Sequence, residues 1–156
     1  MTAHETLIVK TDGAARGNPG PAGIGAVVCD ASGLVLEEAA EYIGEATNNV
    51  AEYSALILGL QVASGFSATE VKVYLDSELL VNQLNGVYKV KNAALKALYA
   101  QAQGLLGQYK QAYVGHVRRE KNGEADRLAN EAIDNYFAGE TEMKKPAGSS
   151  GQGSLF

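Results

Sequence analysis

Near its start the sequence reads Leu7-Ile8-Val9-Lys10-Thr11-Asp12-Gly13, an apolar run that ends in a carboxylate and a glycine. Short apolar runs bounded by turn residues are typical of strands inside a sheet. This run predicts a central strand that ends at Asp12. Further along, the glycine-rich residues 13–23 lead into a second strand, Ile24 to Cys29, and a turn at residues 30–33 leads into a third, Leu34 to Glu38. Because the connections are short, these strands are predicted to form an antiparallel meander.

After residue 48 the spacing of apolar residues becomes helical. The pattern predicts further elements in the order helix from Asn49, strand 71–75, helix 79–84, helix 93–106, strand 112–114 and helix 122–137. Strands followed by alternating helices and strands predict a mixed sheet with helices packed on it. Residues 1–137 are therefore expected to form one domain, and the Gly-, Ser-, Lys- and Pro-rich residues 138–156 a flexible tail.

The composition is that of an ordinary globular domain, with 156 residues, 46% of them apolar and 20% charged. The first residues have neither the basic start nor the apolar core of a signal peptide, and the lone cysteine, Cys29, suits a reducing compartment. We therefore expect a cytoplasmic monomer that does not enter a membrane. The net charge of −5 should repel a polyanion, so a nucleic-acid partner must be argued from local features.

Four carboxylates lie at positions where acids are costly. Asp12 and Asp76 follow predicted strands, and Glu52 and Asp126 share helical stripes with small apolar residues. Burying unpaired carboxylates costs several kcal/mol, roughly, so a cluster of them requires compensation. All-oxygen ligands favour Mg²⁺ or Mn²⁺ over zinc.

Each of these acids also has a purely structural interpretation. Asp12 fits a turn, and Asp76 fits a helix cap before Ser77. Glu52 fits a capping box that begins at Asn49, and Asp126 fits the first turn of a helix capped by Asn122. For any single acid, the structural interpretation explains its position as well as a metal-ligand role does. The structural interpretations do not, however, predict all four acids together.

Four motifs resemble those of type 1 ribonuclease H. They are Asp12-Gly13-Ala14-Ala15-Arg16-Gly17-Asn18-Pro19-Gly20, Thr47-Asn48-Asn49-Val50-Ala51-Glu52, Leu75-Asp76-Ser77, and Gly115-His116 with Asn122-Gly123-Glu124-Ala125-Asp126. The resemblance spans roughly residues 6–137 in the family's order. It implies an α/β, ribonuclease H-like fold with a mixed five-stranded sheet and helices on both faces. The first three strands would be antiparallel, and the fourth and fifth parallel.

The resemblance also implies an endonuclease that hydrolyses the RNA strand of RNA–DNA hybrids and leaves 5′-phosphate and 3′-hydroxyl ends. Asp12, Glu52, Asp76 and Asp126 match the family's catalytic quartet, which holds two Mg²⁺ ions, with Mn²⁺ as a substitute. By this analogy Asp12 bridges the ions, Asp126 serves the ion that activates water, and Glu52 and Asp76 serve the ion at the leaving oxygen. Two such ions suit an in-line displacement at phosphorus.

Other residues match further family positions. His116 matches a histidine on a mobile loop that assists the reaction, although an exposed loop histidine is an equal alternative. Asn18, Asn48 and Asn49 match contacts to the hybrid, and Thr47 matches a contact to a DNA-strand phosphate; turn and capping roles are the alternative for all four.

Cations near the motifs are few. The sequence departs from many relatives in lacking a basic protrusion, since only Val87 to Asn92 follow the third motif at that point and there is no tryptophan. Fewer cations predict weaker phosphate binding. Arg16 and the run from Arg118 to Lys121 flank the motifs, where they either attract substrate or form a solvated surface.

The last residues contain Gln152, Leu155 and Phe156, which resemble the short peptide that binds the bacterial DNA sliding clamp. A chance ending is the equal alternative. Two other functions compete with this interpretation. The first is a non-catalytic hybrid-binding adaptor tethered to the clamp, which would gain nothing from four clustered acids. The second is another nuclease or strand-transfer enzyme of the same broad fold, which residues 17–20 disfavour.

Overall fold

The computed structural model describes residues 3–143, in which three strands come first and helices and further strands follow, as predicted. The elements are β1 (Ala3–Ala15), β2 (Gly20–Asp30), β3 (Val35–Ala46), α1 (Asn48–Ala63), β4 (Ser67–Leu75), α2 (Glu78–Leu84), α3 (Ala93–Leu106), β5 (Gln111–His116) and α4 (Gly123–Met143), with a 3₁₀ turn at Arg119–Lys121 before α4. Among the described helices, none has the length and apolar character needed to cross a membrane.

The five strands form one mixed sheet in the order β3-β2-β1-β4-β5. Neighbours β1–β2 and β2–β3 are antiparallel, whereas β1–β4 and β4–β5 are parallel. This confirms the fold class expected from the motifs.

Strand β1 is longer than predicted. Asp12 does not end it: the strand continues to Ala15 because residues 12–15 pair with residues 22–25 of β2. On its other side β1 pairs with β4 only as far as Lys10, opposite Tyr74. Asp12 therefore lies where the central strand runs past its parallel neighbour, at the carboxyl end of β4.

Helices α1 and α4 cover opposite faces of the sheet. A Cβ added to Gly59 of α1 would meet the side chains of Val9 and Thr11, so α1 packs directly on β1. Cβ atoms at Gly23 and Gly25 of β2 would overlap the backbone of α4, so these glycines let α4 approach the other face. The main core lies on the α1 face and includes α3.

Helix α4 differs from its prediction at two points. The apolar spacing of this helix predicts that Tyr136 faces inward, but its side chain is exposed and stacks on Tyr42 with ring centroids 3.9 Å apart. The helix also continues through Met143, so the first residues of the predicted tail are helical; Ala138, Glu140, Glu142 and Met143 are among them, and Ala, Glu and Met favour helices. The rest of the tail, with the predicted clamp peptide at Gln152, Leu155 and Phe156, lies outside the described residues.

Candidate active site

Three of the four predicted carboxylates converge at the carboxyl end of β4. Asp12 comes from β1, Glu52 from α1, and Asp76 directly follows β4. One oxygen of each carboxylate lies within 4.8 Å of an oxygen of each of the others. The parallel pairing of β1 and β4 thus brings together Asp12 and Asp76, which are 64 residues apart in the sequence.

Helix α1 directs Glu52 toward this site. Its N-cap is Thr47, whose hydroxyl accepts the N–H of Val50 at 3.2 Å, so the alternative interpretation of Glu52, a capping box that begins at Asn49, is wrong. Glu52 does not reach back along its own helix. Its Oε1 instead accepts the backbone N–H of Gly13 at 3.2 Å, which ties α1 to the residue after Asp12.

Asp76 is not a helix cap either. Ser77 caps α2 by accepting the N–H of Leu80 at 3.3 Å. The Asp76 carboxylate therefore does not cap α2 and faces Asp12 and Glu52, as a metal ligand at this site would.

The electrostatics of the cluster fit a cation. Burial, reinforced by the negative charges of Glu52 and Asp76, raises the pKa of Asp12 to about 9. Burial and the charge of Asp76 raise the pKa of Glu52 to about 7, although the Gly13 N–H and the charge of Arg119 oppose this shift. Neighbouring carboxyl groups oppose each other's ionisation, and those of this cluster present only oxygen atoms to one another. A hard divalent cation stabilises such a site, because it binds oxygen ligands and neutralises their charge.

Asp126, the fourth predicted ligand, approaches from α4 on the opposite face. It interacts with Asp12 strongly enough to raise the pKa of Asp12 further, but it is not one of the three acids that converge most closely. The Asp126 carboxylate accepts a hydrogen bond from Asn130 Nδ2 at 3.3 Å. Arg16 in turn bonds Asn130 and forms a 2.7 Å ion pair with Asp134, so this arginine is engaged by α4.

Asn122 is the polar residue at the site whose role differs most from the expected one. We expected a helix cap, yet its side chain is almost fully buried and donates to the carbonyl of Thr11 at 2.9 Å and to Asp76 Oδ2 at 3.1 Å. Only its position between the fourth motif's histidine and Asp126 hinted at a place near the carboxylates.

The predicted substrate contacts lie beside the carboxylates, with Asn18 in the loop before β2 and the other three, Thr47, Asn48 and Asn49, at the N-terminal end of α1. Asn18 Oδ1 accepts the N–H of Asn48 at 3.0 Å, and Asn48 Oδ1 accepts the N–H of Ala15 at 3.2 Å. An open cavity of about 350 Å³ lies there, lined by Asn18, Thr47, Asn49, Val50, Asn92, Ala94 and Leu95. Sequence reasoning missed Asn92, which caps α3; an amide directly before a predicted helix was the available signal.

His116 is the last residue of β5, opposite Leu75, and its side chain is exposed. The strand places it beside the carboxyl end of β4, one position in register from Asp76. The resemblance implies a loop position after β5 for this histidine. His116 instead belongs to the strand, because the pairing of β4 with β5 extends to this residue.

A family profile described as reverse transcriptase-like matches residues 10–132. Ribonuclease H of Dechloromonas aromatica is 35% identical over 151 residues, which cover 86% of this chain and 97% of that protein. The chain belongs to the ribonuclease H family. Another family relative is the bifunctional protein Rv2228c of Mycobacterium tuberculosis, 50% identical over 129 residues. That match covers 82% of this chain but 35% of Rv2228c, so the chain spans about a third of that relative's length.

Solved ribonuclease H structures agree with this assignment. The N-terminal RNase H domain of Rv2228c from Mycobacterium tuberculosis superposes with a TM-score of 0.83 at 47% identity, over 87% of this chain and 99% of that one. LC11-RNase H1 in complex with an RNA/DNA hybrid gives a TM-score of 0.79 at 48% identity, over 84% and 99% of the two chains. The chain is thus similar to type 1 members of the family.

Proposed function

We propose that the chain is an endonuclease that hydrolyses the RNA strand of RNA–DNA hybrids with two divalent metal ions. The observation that carries this proposal is the convergence of Asp12, Glu52 and Asp76 within 4.8 Å at one end of the sheet. The likeness to LC11-RNase H1, whose structure contains an RNA/DNA hybrid, supports the substrate.

The metal centre would be held by Asp12, Glu52 and Asp76, with Asp126 completing it from α4. Bound there, two Mg²⁺ or Mn²⁺ ions would supply Lewis acidity at the phosphate and lower the pKa of an attacking water. Asp12 and Glu52 must release protons to act as ligands, because burial and mutual repulsion raise the pKa of each. Asp12 is central to the proposal since it faces all three other acids.

The overall reaction is the hydrolysis of one phosphodiester bond. A water oxygen attacks phosphorus, the bond from phosphorus to the 3′-oxygen breaks, and that oxygen leaves to become a 3′-hydroxyl. The other product carries a 5′-phosphate. Exposed His116, which ends β5 opposite Leu75, would exchange protons with the attacking water or the departing product.

Hybrid recognition would come from the amide-rich loops. In Asn18 and Asn48 the side-chain oxygen is used to hold the loops together, which orients each NH₂ group for an outside acceptor. Asn49 and Thr47 line the adjacent cavity. Such donors suit the 2′-hydroxyls and phosphates displayed along the shallow minor groove of a hybrid. The charge of Arg119 reaches Glu52 and would offset part of the local acidity that repels the substrate.

The test is cleavage of an end-labelled RNA–DNA hybrid by the full chain, with Mg²⁺, with Mn²⁺ and with EDTA. Single-stranded RNA, double-stranded RNA and duplex DNA of the same sequence serve as substrate controls. We expect metal-dependent cleavage of the RNA strand of the hybrid alone, with 5′-phosphate ends that a ligase accepts. Asp76→Asn should abolish it, whereas Glu131→Gln on the exposed side of α4 should not.

Hybrid binding without cleavage under either metal would contradict this proposal and favour the non-catalytic adaptor. Cleavage that persists in EDTA, or in Asp76→Asn at the normal rate, would contradict the assigned metal centre.

A further inference from the structure

We infer that Asn122 is a positioning residue that sets the spacing of the metal-binding carboxylates. The inference rests on the proposed function, since it concerns the same centre. Asn122 lies between the 3₁₀ turn and α4, and only 1% of its surface is exposed. A substrate therefore does not reach it, and any influence on the reaction must pass through its neighbours.

The contacts of Asn122 join three parts of the site. Its Nδ2 donates to the carbonyl of Thr11, the residue before Asp12, at 2.9 Å. The same nitrogen donates to Asp76 Oδ2 at 3.1 Å. Its backbone carbonyl accepts the N–H of Asp126 at 3.1 Å, which begins the helix that carries Asp126. One side chain and its peptide group thus bind the elements that supply three of the four acids.

These contacts lie where the sheet itself provides no link. Pairing between β1 and β4 stops at Lys10 and Tyr74, one residue before Thr11. Beyond that point the separation of Asp12 from Asp76 is no longer set by strand pairing. The two hydrogens of the Asn122 amide bridge the gap, one to each strand end.

The chemistry requires an amide at this position. Both groups facing Nδ2, a carbonyl and a carboxylate, are acceptors, so the orientation of the amide is defined by its neighbours. A carboxylate at 122 would donate to neither and would repel Asp76. The Oδ1 atom is buried without a hydrogen-bond partner among the described residues, a cost that the two donated bonds must offset.

Groups that orient metal ligands without touching the metal commonly change metal affinity by about 10–100-fold when removed. We therefore expect Asn122→Ala to weaken Mn²⁺ binding to the free protein about tenfold or more. Since Asn122 is buried, kcat at saturating metal should fall while KM for the hybrid stays within about twofold.

The matched control is Asn85→Ala. Asn85 Nδ2 also donates to a backbone carbonyl, that of Val114 at 3.0 Å, but it touches none of the four acids. This variant should lose some stability and keep the Mn²⁺ affinity of the natural chain.

The experiment is calorimetric titration of Mn²⁺ into the metal-free natural chain, Asn122→Ala and Asn85→Ala, with urea unfolding of each in EDTA. If Asn122→Ala fails to fold, Asn122→Ser, which keeps one donor, replaces it and should show an intermediate loss. Equal Mn²⁺ affinity in the natural chain and a folded Asn122 variant would overturn the inference and leave the proposed function intact. A natural chain that binds no Mn²⁺ would overturn the metal centre, and the inference with it.

Discussion

The backbone N–H of Gly13 donates to Glu52 Oε1 at 3.2 Å, which joins β1 to α1 immediately beside Asp12. The contact is possible because Gly13 has no side chain: a Cβ there would overlap the carbonyl of Ala51 on α1. The glycine in the first motif thus controls how closely one carboxylate-bearing helix approaches the central strand.

Gly13→Ala should therefore push α1 away from β1. We expect a loss of about 1–3 kcal/mol in the free energy of unfolding, as for other overpacked sites, together with weaker Mn²⁺ binding. Urea unfolding and Mn²⁺ titration would measure the two effects. As a control, Gly104→Ala in α3 meets no atom within 4 Å and should stabilise the protein by about 0.5–1 kcal/mol. A fully stable Gly13→Ala variant would contradict the close packing of α1 on β1.

Asp12→Asn should abolish cleavage while preserving the fold. The substitution removes the central carboxylate, and we expect activity to fall by about 10³-fold or more. It also removes a buried carboxyl group whose ionisation is opposed by burial and by the charges of Glu52 and Asp76, so the metal-free variant should be at least as stable as the natural chain. Cleavage assays and thermal unfolding in EDTA would check both statements. A variant that unfolds at a clearly lower temperature would show that Asp12 stabilises the fold.

The stability of the metal-free protein should fall as the pH rises from about 5 to 9. The folded chain raises the pKa of Asp12 from 3.8 to about 9 and that of Glu52 from 4.5 to about 7, so it keeps protons that the unfolded chain has already released. Raising the pH removes these protons at a cost to the folded state of at most about 1.4 kcal/mol per pH unit for each proton.

Urea unfolding in EDTA at several pH values would measure this dependence. Asp12→Asn should flatten it, particularly near pH 9, because the Asp12 carboxyl no longer titrates. Stability that rises over the same range in the natural chain would refute the electrostatic account of the cluster.

Thr47 is predicted to have two separable roles. As the N-cap of α1 its hydroxyl accepts the Val50 N–H, so Thr47→Ala should cost about 1 kcal/mol of stability. As a residue lining the cavity it should also contribute to hybrid affinity. Thr47→Ser keeps the hydroxyl and should restore both, as measured by urea unfolding and by hybrid binding in Ca²⁺. Normal hybrid affinity in Thr47→Ala would remove Thr47 from the substrate contacts.

Much of the fold could be predicted because its signals are local. Helix α3 has the bounds that its apolar spacing predicts, Ala93–Leu106, since an asparagine cap and a glycine frame it. The ends of the strands were less predictable. Strand β1 continues past Asp12 to Ala15 because residues 12–15 form hydrogen bonds with residues 22–25 of β2. The local sequence around Asp12 does not show that this pairing occurs.

The candidate site divides in the same way. The sequence by itself indicated which acids form the candidate site, because the structural interpretations that explain each carboxylate singly do not predict all four together. Only the tertiary structure decided their spacing: Glu52 turns to Gly13, Asp126 stands apart from the closest three, and the side chain of Asn122 bonds Thr11 and Asp76 and does not cap α4. The physical reason is that a buried polar side chain bonds to the unpaired hydrogen-bonding groups that the fold brings close to it. Those groups come from distant parts of the sequence, so no local pattern predicts them.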